Sequence, residues 1–406
     1  MVHHVLPVVP RARSLKIALP EDAHLIKILT DHLPSSAPLL TSVHIEGPLH
    51  QYRRSEYPPI LQTVVQKCAM PSLTSLQVAN CRVPLLQREL FFPSLTVLGL
   101  HNTVEPRAVN VSELLDVLRG LPSLEHMTLE NAIPELSYTI TSLPDMYPTA
   151  ALPRLKTIAV SGQALASVHF LGLCTFPVST KISLELQSFY YGSYPNMIAL
   201  LLPPLSALLE TGGQVGRAME IKMGISDFYH EVPALDPSPR LKLEPRLSIA
   251  YPVGSWLEDG FIVENLWARL PLGHVLTFIC NDVRLTEQAR SGWVQLFQTM
   301  ANVEDFRVLE RWGERAPLFV DLLFVQPNLD PVLPLLQRVL LHDFHPLYGL
   351  GSQTVESYRR IFRSRRDAGL SREQLTLKGS SYQMKEFDIP SLEQYVDVVV
   401  GEYVQW

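Results

Sequence analysis

The sequence predicts an α/β chain in which short parallel strands alternate with helices around one continuous core. Three observations carry this expectation: one eight-residue phrase recurs, apolar and polar residues alternate at the end of each copy, and helix-like segments fall between copies. Five copies read Pro-x-Leu-x-x-apolar-x-apolar, at Pro38–Ile45, Pro71–Val78, Pro93–Leu100, Pro122–Leu129 and Pro153–Val160. A later copy spans Pro334–Leu341.

Alternation at period two turns one side of a short strand inward. The earlier leucine enters the same core from the approach to the strand. Asn80, Asn102 and Asn131 each stand two residues after the last apolar position. An amide side chain there can satisfy backbone groups of the turn. Weaker strands sit at Leu15/Ile17, Ile182/Leu184, Met219/Ile221, Leu247/Ile249, Leu276/Phe278, Phe306/Val308 and Leu375/Leu377. Together these make about thirteen strands at roughly thirty residues per repeat, the upper end of the leucine-rich-repeat range. Helical spacing of apolar residues marks Glu21–Leu33, Ser112–Leu118, Leu257–Leu270, Thr286–Met300 and Thr354–Asp367. The expected architecture is a leucine-rich-repeat solenoid, a horseshoe with parallel strands on its concave face and helices on its convex face. A doubly wound sheet would not need the same phrase five times.

Residues 1–406 read as a single array with two interruptions, Ala132–Ala151 and Asp227–Glu244. The second carries Pro233, Pro237 and Pro239, with Pro245 just beyond, and is read as a hinge near 227–245. Ser391–Val404 reads as a C-terminal capping helix. Pro390 precedes Ser391, Gln394 follows three residues on as in a capping box, and Leu392, Tyr395, Val396, Val399 and Tyr403 would close the core.

Composition narrows the function classes. At 47% hydrophobic and 18% charged, the chain can build a core and is not disordered. A net charge of −6 argues against coating nucleic acid. Cys68, Cys81, Cys174 and Cys280 fit neither a zinc spacing nor a disulfide framework, and read as reduced core residues. Met1–Pro10 lacks the features of a secretory signal, and Met197–Leu209 is too short and proline-interrupted for a membrane span. Cytoplasm or nucleus is the expected compartment, with no membrane partner.

No catalytic signature is legible. Gly349-Leu350-Gly351 lacks a third glycine, no P-loop or HExxH occurs, and His342-Asp343-Phe344-His345 reads as a polar loop after a strand. No cofactor or metal is expected. The binding surface follows from strand geometry, since residues between the inward positions point outward. On that rule His44, Glu46, Gln77, His101, His126, Thr128, Glu130 and Lys222 are the candidate protein contacts. Ser42, Ser75, Val97, Gly99, Thr157, Ala159, Lys181, Ser183, Glu185, Arg338, Leu340 and His342 share the face. The face is mixed in charge and poor in aromatic rings, which disfavours a groove for single-stranded nucleic acid. Arg359, Arg360, Arg363, Arg365 and Arg366 form the densest basic run. It reads as the solvated face of a helix or, alternatively, as a patch for nucleic acid or a nuclear-import receptor.

Leu121-Pro122-Ser123-Leu124, the related Phe92–Leu95, the Asn-bearing strand ends and the tail Arg363–Thr376 (RSRRDAGLSREQLT) resemble the leucine-rich-repeat portion of fungal F-box proteins. The resemblance implies substrate recruitment to a Skp–cullin–F-box ubiquitin ligase. The horseshoe would hold the target while an N-terminal F-box docks the adaptor. A family F-box would open on a Leu-Pro-containing helix. Here repeat-like sequence begins by Leu15, and Leu6-Pro7 is the one trace of that helix. The expected function is therefore a non-catalytic protein-interaction module, either an F-box-like substrate receptor or a scaffold. An unrecognised βα-repeat enzyme is the alternative.

Overall fold

The structure is a computed structural model. It describes residues 6–19, 31–47, 60–81, 83, 91–103, 111–136, 149–177, 179–187, 194–213, 219–224, 247–251, 263–281, 289–309, 320–325, 330–342, 351–370, 373–379 and 389–402. The chain is α/β with parallel strands, and it divides into two compact units, Met1–Leu201 and Leu202–Trp406. The expected hinge at 227–245 lies outside the described residues, as does most of the expected helix Glu21–Leu33.

The recurring phrase folds the same way each time. The carbonyl before the proline accepts the N–H of the leucine, closing a β-turn: Ala37 to Leu40 at 3.1 Å, Met70 to Leu73 at 3.1 Å, Phe92 to Leu95 at 2.9 Å and Leu121 to Leu124 at 3.2 Å. Leu152 to Leu155 and Leu333 to Leu336 follow suit at 3.2 and 3.1 Å. Proline suits the second position of such a turn because its φ is already set. The closure persists without proline, from Leu272 to Val275 at 3.0 Å and from Met300 to Val303 at 3.1 Å. The turn is therefore the repeated object, and proline only favours it.

A carbonyl ladder then sets where each strand starts. The Arg13 carbonyl accepts Thr41 N–H and Ser42 N–H, at 2.8 and 3.1 Å. The Thr41 carbonyl accepts Thr74 N–H and Ser75 N–H, both at 2.9 Å, and Thr74 does the same for Thr96 and Val97. Thr41, Thr74 and Thr96 add their hydroxyls to these carbonyls at 3.0–3.2 Å.

A second ladder closes the strand ends. Asn80, Asn102 and Asn131 take positive φ angles of 54°, 51° and 46°. Asn131 donates its side-chain N–H to Asn102 Oδ1 at 3.0 Å, and Asn102 donates to Asn80 Oδ1 at 3.1 Å. Left-handed backbone costs most residues roughly 1–2 kcal/mol, and asparagine is among the few that visit it readily. Gly47 holds the equivalent place after the second strand, where an added Cβ would collide with the Asn80 carbonyl.

In the first unit the strands are β1 (Ser14–Ala18), β2 (Ser42–Glu46), β3 (Ser75–Ala79), β4 (Val97–His101), β5 (His126–Glu130), β7 (Thr157–Gln163) and β9 (Lys181–Gln187). They pair in that order, all parallel. The missing numbers are β6 (Ala150–Ala151), at the end of the first expected interruption, and β8 (Cys174–Thr175), which make a small parallel pair of their own. Helices α1 (Ile60–Lys67), α2 (Val111–Arg119) and α3 (Ala164–Gly172) connect strands. On α2 the buried face is Val111, Leu114, Leu115, Val117 and Leu118, a stripe of the expected helical period. Helix α3 is buried from Ala164 to Leu171, and it takes His169 into the core with it. Burial lowers the His169 pKa below its ordinary value.

Helix α4 (Tyr194–Gly213) contains the boundary between the units, at Leu201/Leu202. It runs through Pro203 and Pro204 where the sequence reading expected a break. Its buried stripe is Ile198, Leu201, Leu205 and Leu209, and Pro203 falls on the exposed side. There, water can reach the carbonyl that proline leaves without a donor. Among the described residues, no helix is long and apolar enough to cross a membrane.

In the second unit the strands are β10 (Met219–Gly224), β11 (Leu247–Tyr251), β12 (Val275–Asn281), β13 (Asp305–Leu309), β14 (Arg338–His342), β15 (Gln374–Gly379) and β16 (Asp397–Glu402). Their spatial order is β11-β10-β12-β13-β14-β15-β16, so the first two are exchanged relative to the chain. The register slips between Met219 and Glu220 on β10, opposite Leu276. The inward pair on β12 is consequently Phe278/Cys280, in register with Phe306/Val308, and not Leu276/Phe278 as expected. Helix α5 (Arg290–Thr299) lays Trp293 and Phe297 onto these strands, and Phe278 stacks on Phe306 at 5.8 Å. Of the expected helix Leu257–Leu270, the described residues 263–265 are helical and lead into the 3-10 segment Trp267–Arg269.

Helix α6 (Gly351–Asp367) precedes β15, and the one-turn α7 (Ile389–Leu392) precedes β16. The expected capping helix 391–404 is corrected here. After α7 the chain turns into strand β16, parallel to β15. Val398, Val399 and Val400 are β-branched and consecutive, a run that suits a strand better than a helix. Among the described residues no strand lies beyond β16 in the sheet, and Val399 and Val400 are exposed, at 42% and 43%.

Two outcomes test these assignments. Asn102→Ala is expected to lower the unfolding free energy by about 3 kcal/mol and Asn102→Gly by about 2, the difference being the left-handed backbone penalty. Urea denaturation measures both, and equal losses would place the cost in the hydrogen bonds alone. Because the folded chain holds His169 with a lowered pKa, it binds fewer protons than the unfolded chain. Stability should therefore fall as pH drops below about 6.5, until the lowered folded value is passed. His169→Leu should flatten that slope in a pH series of denaturation curves.

Candidate protein-binding surface

The outward positions of the first unit form three aligned rows, because every strand pair is in register. One row runs Lys16, His44, Gln77, Gly99, Thr128, Ala159, Ser183. The next runs Ala18, Glu46, Ala79, His101, Glu130, Ser161, Glu185. The row before them carries His126 and Thr157. Seven of the eight residues expected as protein contacts are thus brought onto one face. Lys222 pairs in register with Ala250 and Ile279 in the second unit, and its side chain lies outside the described residues.

Contacts across the rows orient these groups. His101 Nδ1 lies 2.9 Å from Glu130 Oε2 on the neighbouring strand. His126 Nδ1 lies 2.9 Å from Thr157 Oγ1. Lys16 Nζ is 3.1 Å from Glu46 Oε2, which also stands 3.9 Å from His44 Nε2. These side chains are about a third exposed or more, so the ion pairs stabilise little. Their effect is to hold rings and carboxylates in place. At one end of the face Lys156 Nζ meets Glu125 Oε2 at 2.5 Å, and this hydrogen bond lowers the Glu125 pKa. Gly99 lies buried in the middle of the face. A Cβ there would stand 3.2 Å from both Gln77 Cγ and His101 Nε2, so those two side chains close over it.

The second unit presents a different chemistry on the same alternation. Asp305 is 3% exposed and points away from Phe306 and Val308. Its Oδ2 accepts from Arg307 Nη2 at 2.8 Å and Nε at 3.2 Å, and Arg338 Nη2 reaches it at 3.3 Å. Sequence reasoning named Arg338 and missed Asp305 and Arg307. The signal was present, because Phe306 and Val308 were assigned inward and their neighbours therefore face outward.

The basic run on α6 is corrected. Val355, Tyr358, Ile361, Phe362 and Arg365 form the buried stripe, and Arg365 is 0% exposed. Arg365 donates Nε to Glu373 Oε1 at 2.7 Å, Nη1 to the Val332 carbonyl and Nη2 to the Leu333 carbonyl, both at 2.9 Å. Leu333 has a positive φ of 45°, so this guanidinium also braces a strained turn. Arg359 pairs with Glu356, Arg363 lies 3.7 Å from Asp367, and Arg360 lies over Phe324. Arg366 lies over the Tyr395 ring and donates to the Gln394 carbonyl at 3.1 Å. The five arginines therefore do not make one free cationic surface.

Among the described residues, no group of three or more His, Cys, Asp or Glu side chains could hold a metal ion. Asp343, Phe344 and His345 lie outside the described residues. No protein-family model matches the chain, and no curated protein matches it significantly.

Arg365→Met is expected to cost about 3–5 kcal/mol, because Glu373 would be left charged and buried. Arg363→Gln, on the exposed side of the same helix, should stay within about 0.5 kcal/mol. Chemical denaturation of the two variants separates a structural arginine from a surface one.

Proposed function

We propose that the chain is a leucine-rich-repeat solenoid acting as a non-catalytic protein-interaction module, in the manner of an F-box-type substrate receptor or a scaffold. The observation that carries the reading is the first unit's outward face. His44, Gln77, His101, His126, Thr128 and Glu130 stand half-exposed or exposed on four parallel strands tied by two ladders. A polar surface whose side chains are held by neighbours suits a folded partner, since less side-chain freedom is lost on contact. The resemblance to fungal F-box proteins supports the receptor form of the reading. Residues 14–18 form β1, paired with β2, so that part of the chain belongs to the repeat sheet rather than to an F-box helix. Arg365, buried at the centre of the basic run, weakens the alternative of nucleic-acid or import-receptor binding through α6.

The test is recovery of partners by tagged full-length chain from its own cell extract, read by mass spectrometry. A His101→Ala/His126→Ala/Glu130→Ala variant runs in parallel. The expected result is a discrete protein retained by the wild type and reduced at least tenfold by the variant, with thermal unfolding unchanged. Recovery of a Skp adaptor and cullin with it selects the ligase receptor, and their absence selects the scaffold. A partner that ignores the variant removes this face from the function, and no retained protein removes the reading.

A further inference from the structure

The last strand of the sheet differs from the first. Strand β1 carries Lys16 at its centre, and its core-side Ile17 is 5% exposed. Strand β16 has Val398, Val399, Val400 and Gly401 between Asp397 and Glu402, and Val399 and Val400 are the exposed ones. In register with Leu375 and Leu377, Val398 and Val400 lie on the core face, while Val399 lies with Thr376 on the outward face. Both faces of this edge are therefore apolar. Sheet edges are commonly blunted by a charge, lysine above all, because an open edge accepts another strand. Strand β1 has that lysine and the middle of β16 has no charge.

The backbone of β16 is placed to match. The Asp397 N–H donates to the Glu373 carbonyl at 2.9 Å, so Asp397, Val399 and Gly401 turn their backbone groups toward β15. Alternation directs the N–H and C=O of Val398 and Val400 to the other side, where no strand lies among the described residues.

We infer that β16 is a self-association site, where a second copy of this chain adds its own β16, antiparallel, about a two-fold axis through Val399. This site is independent of the first unit's face proposed to bind a partner. Three features select a second copy in this register. Val398 stands opposite Val400 of the second copy, and both turn their backbone groups to the shared edge, so each such pair exchanges two hydrogen bonds. Val399 stands opposite its own counterpart, at a non-hydrogen-bonded position where the Cα atoms come within about 4.5 Å. All three valines thus meet valines, both core faces lie on one side of the joined sheet, and Asp397 falls opposite Gly401, which brings no side chain against it. A shift of one residue would instead set core-side positions against outward ones and turn the two cores to opposite faces. Head-to-tail addition of β1 in the sheet's own register would set Lys16 beside Val399. It would also leave the ends open, whereas a two-fold pair closes on itself.

Sedimentation velocity of the full-length chain over a concentration series measures the association. One strand on each side makes a small contact and a weak complex, so a monomer–dimer equilibrium in the micromolar range is expected. Val399→Lys and Val399→Glu each set like charges face to face across the axis. Each should weaken the dimer at least tenfold, with an unchanged urea midpoint at concentrations where the wild type is monomeric. An equimolar mixture of the two variants should restore the dimer, because the axis then brings opposite charges together. Val399→Cys should cross-link to a covalent dimer under mild oxidation, above the background of the wild type with its half-buried Cys81. Thr376→Cys, one strand further in, should not. These two cysteine variants decide the matter if a charge at position 399 lowers stability. A wild type that stays monomeric throughout overturns the proposal. So does a dimer indifferent to Val399→Lys, a mixture no more associated than either variant alone, or growth into open-ended chains of copies.

Discussion

From β2 to β9 and again from β14 to β16, the strands of the main sheet begin by donating backbone N–H groups to the carbonyl that precedes an adjacent strand, and the rest of the structure depends on that hand-over. Arg13 serves Thr41 and Ser42, Thr41 serves Thr74 and Ser75, and Glu304 serves Gln337 and Arg338 in the second unit. A parallel pair has no hairpin to fix its register, so something else must, and a one-residue slip would turn every inward leucine outward. The turn that ends at the phrase leucine delivers the chain to the acceptor at the same step in each repeat. Pro-x-Leu is the sequence trace of that turn, which explains why the trace fades where other residues close it equally well.

Register also builds the surfaces. Because the strands start level, outward side chains fall into rows spaced by the width of a strand pair, close enough for His101 to meet Glu130 and for Arg338 to meet Asp305. The asparagine ladder works from the other end. It satisfies amide groups where the strands stop, and it accepts the left-handed backbone that the turn needs. One ladder is made of backbone bonds and the other of asparagine side-chain amides, so the strands they join are tied at both ends.

Two arginines show how little residue type decides alone. Arg365 sits within a run of basic residues, yet it falls on the buried stripe of α6 and serves two carbonyls and Glu373. Arg338 stands alone in an apolar strand, yet it reaches the surface beside a carboxylate already compensated by Arg307. Helical period places the first inside, and strand period places the second outside.

The sequence by itself determined the strands. All thirteen expected positions are strands, and where their side chains are described the inward residues follow from alternation, apart from the shifted pair on β12. It determined the asparagine turns and the first unit's outward rows as well, because these depend on periods of two and on spacing within a few residues. Only the tertiary structure decided the exchange of β10 and β11, the strand at 397–402 in place of a helix, and the burial of Arg365. Each of these turns on which segment lies alongside, and partners distant in the chain leave no periodic mark in either sequence. The Asp305–Arg307–Arg338 cluster stands between the two. Its members' outward direction was legible from alternation, but the meeting of Arg338 with Asp305 required the register of two strands that lie some thirty residues apart.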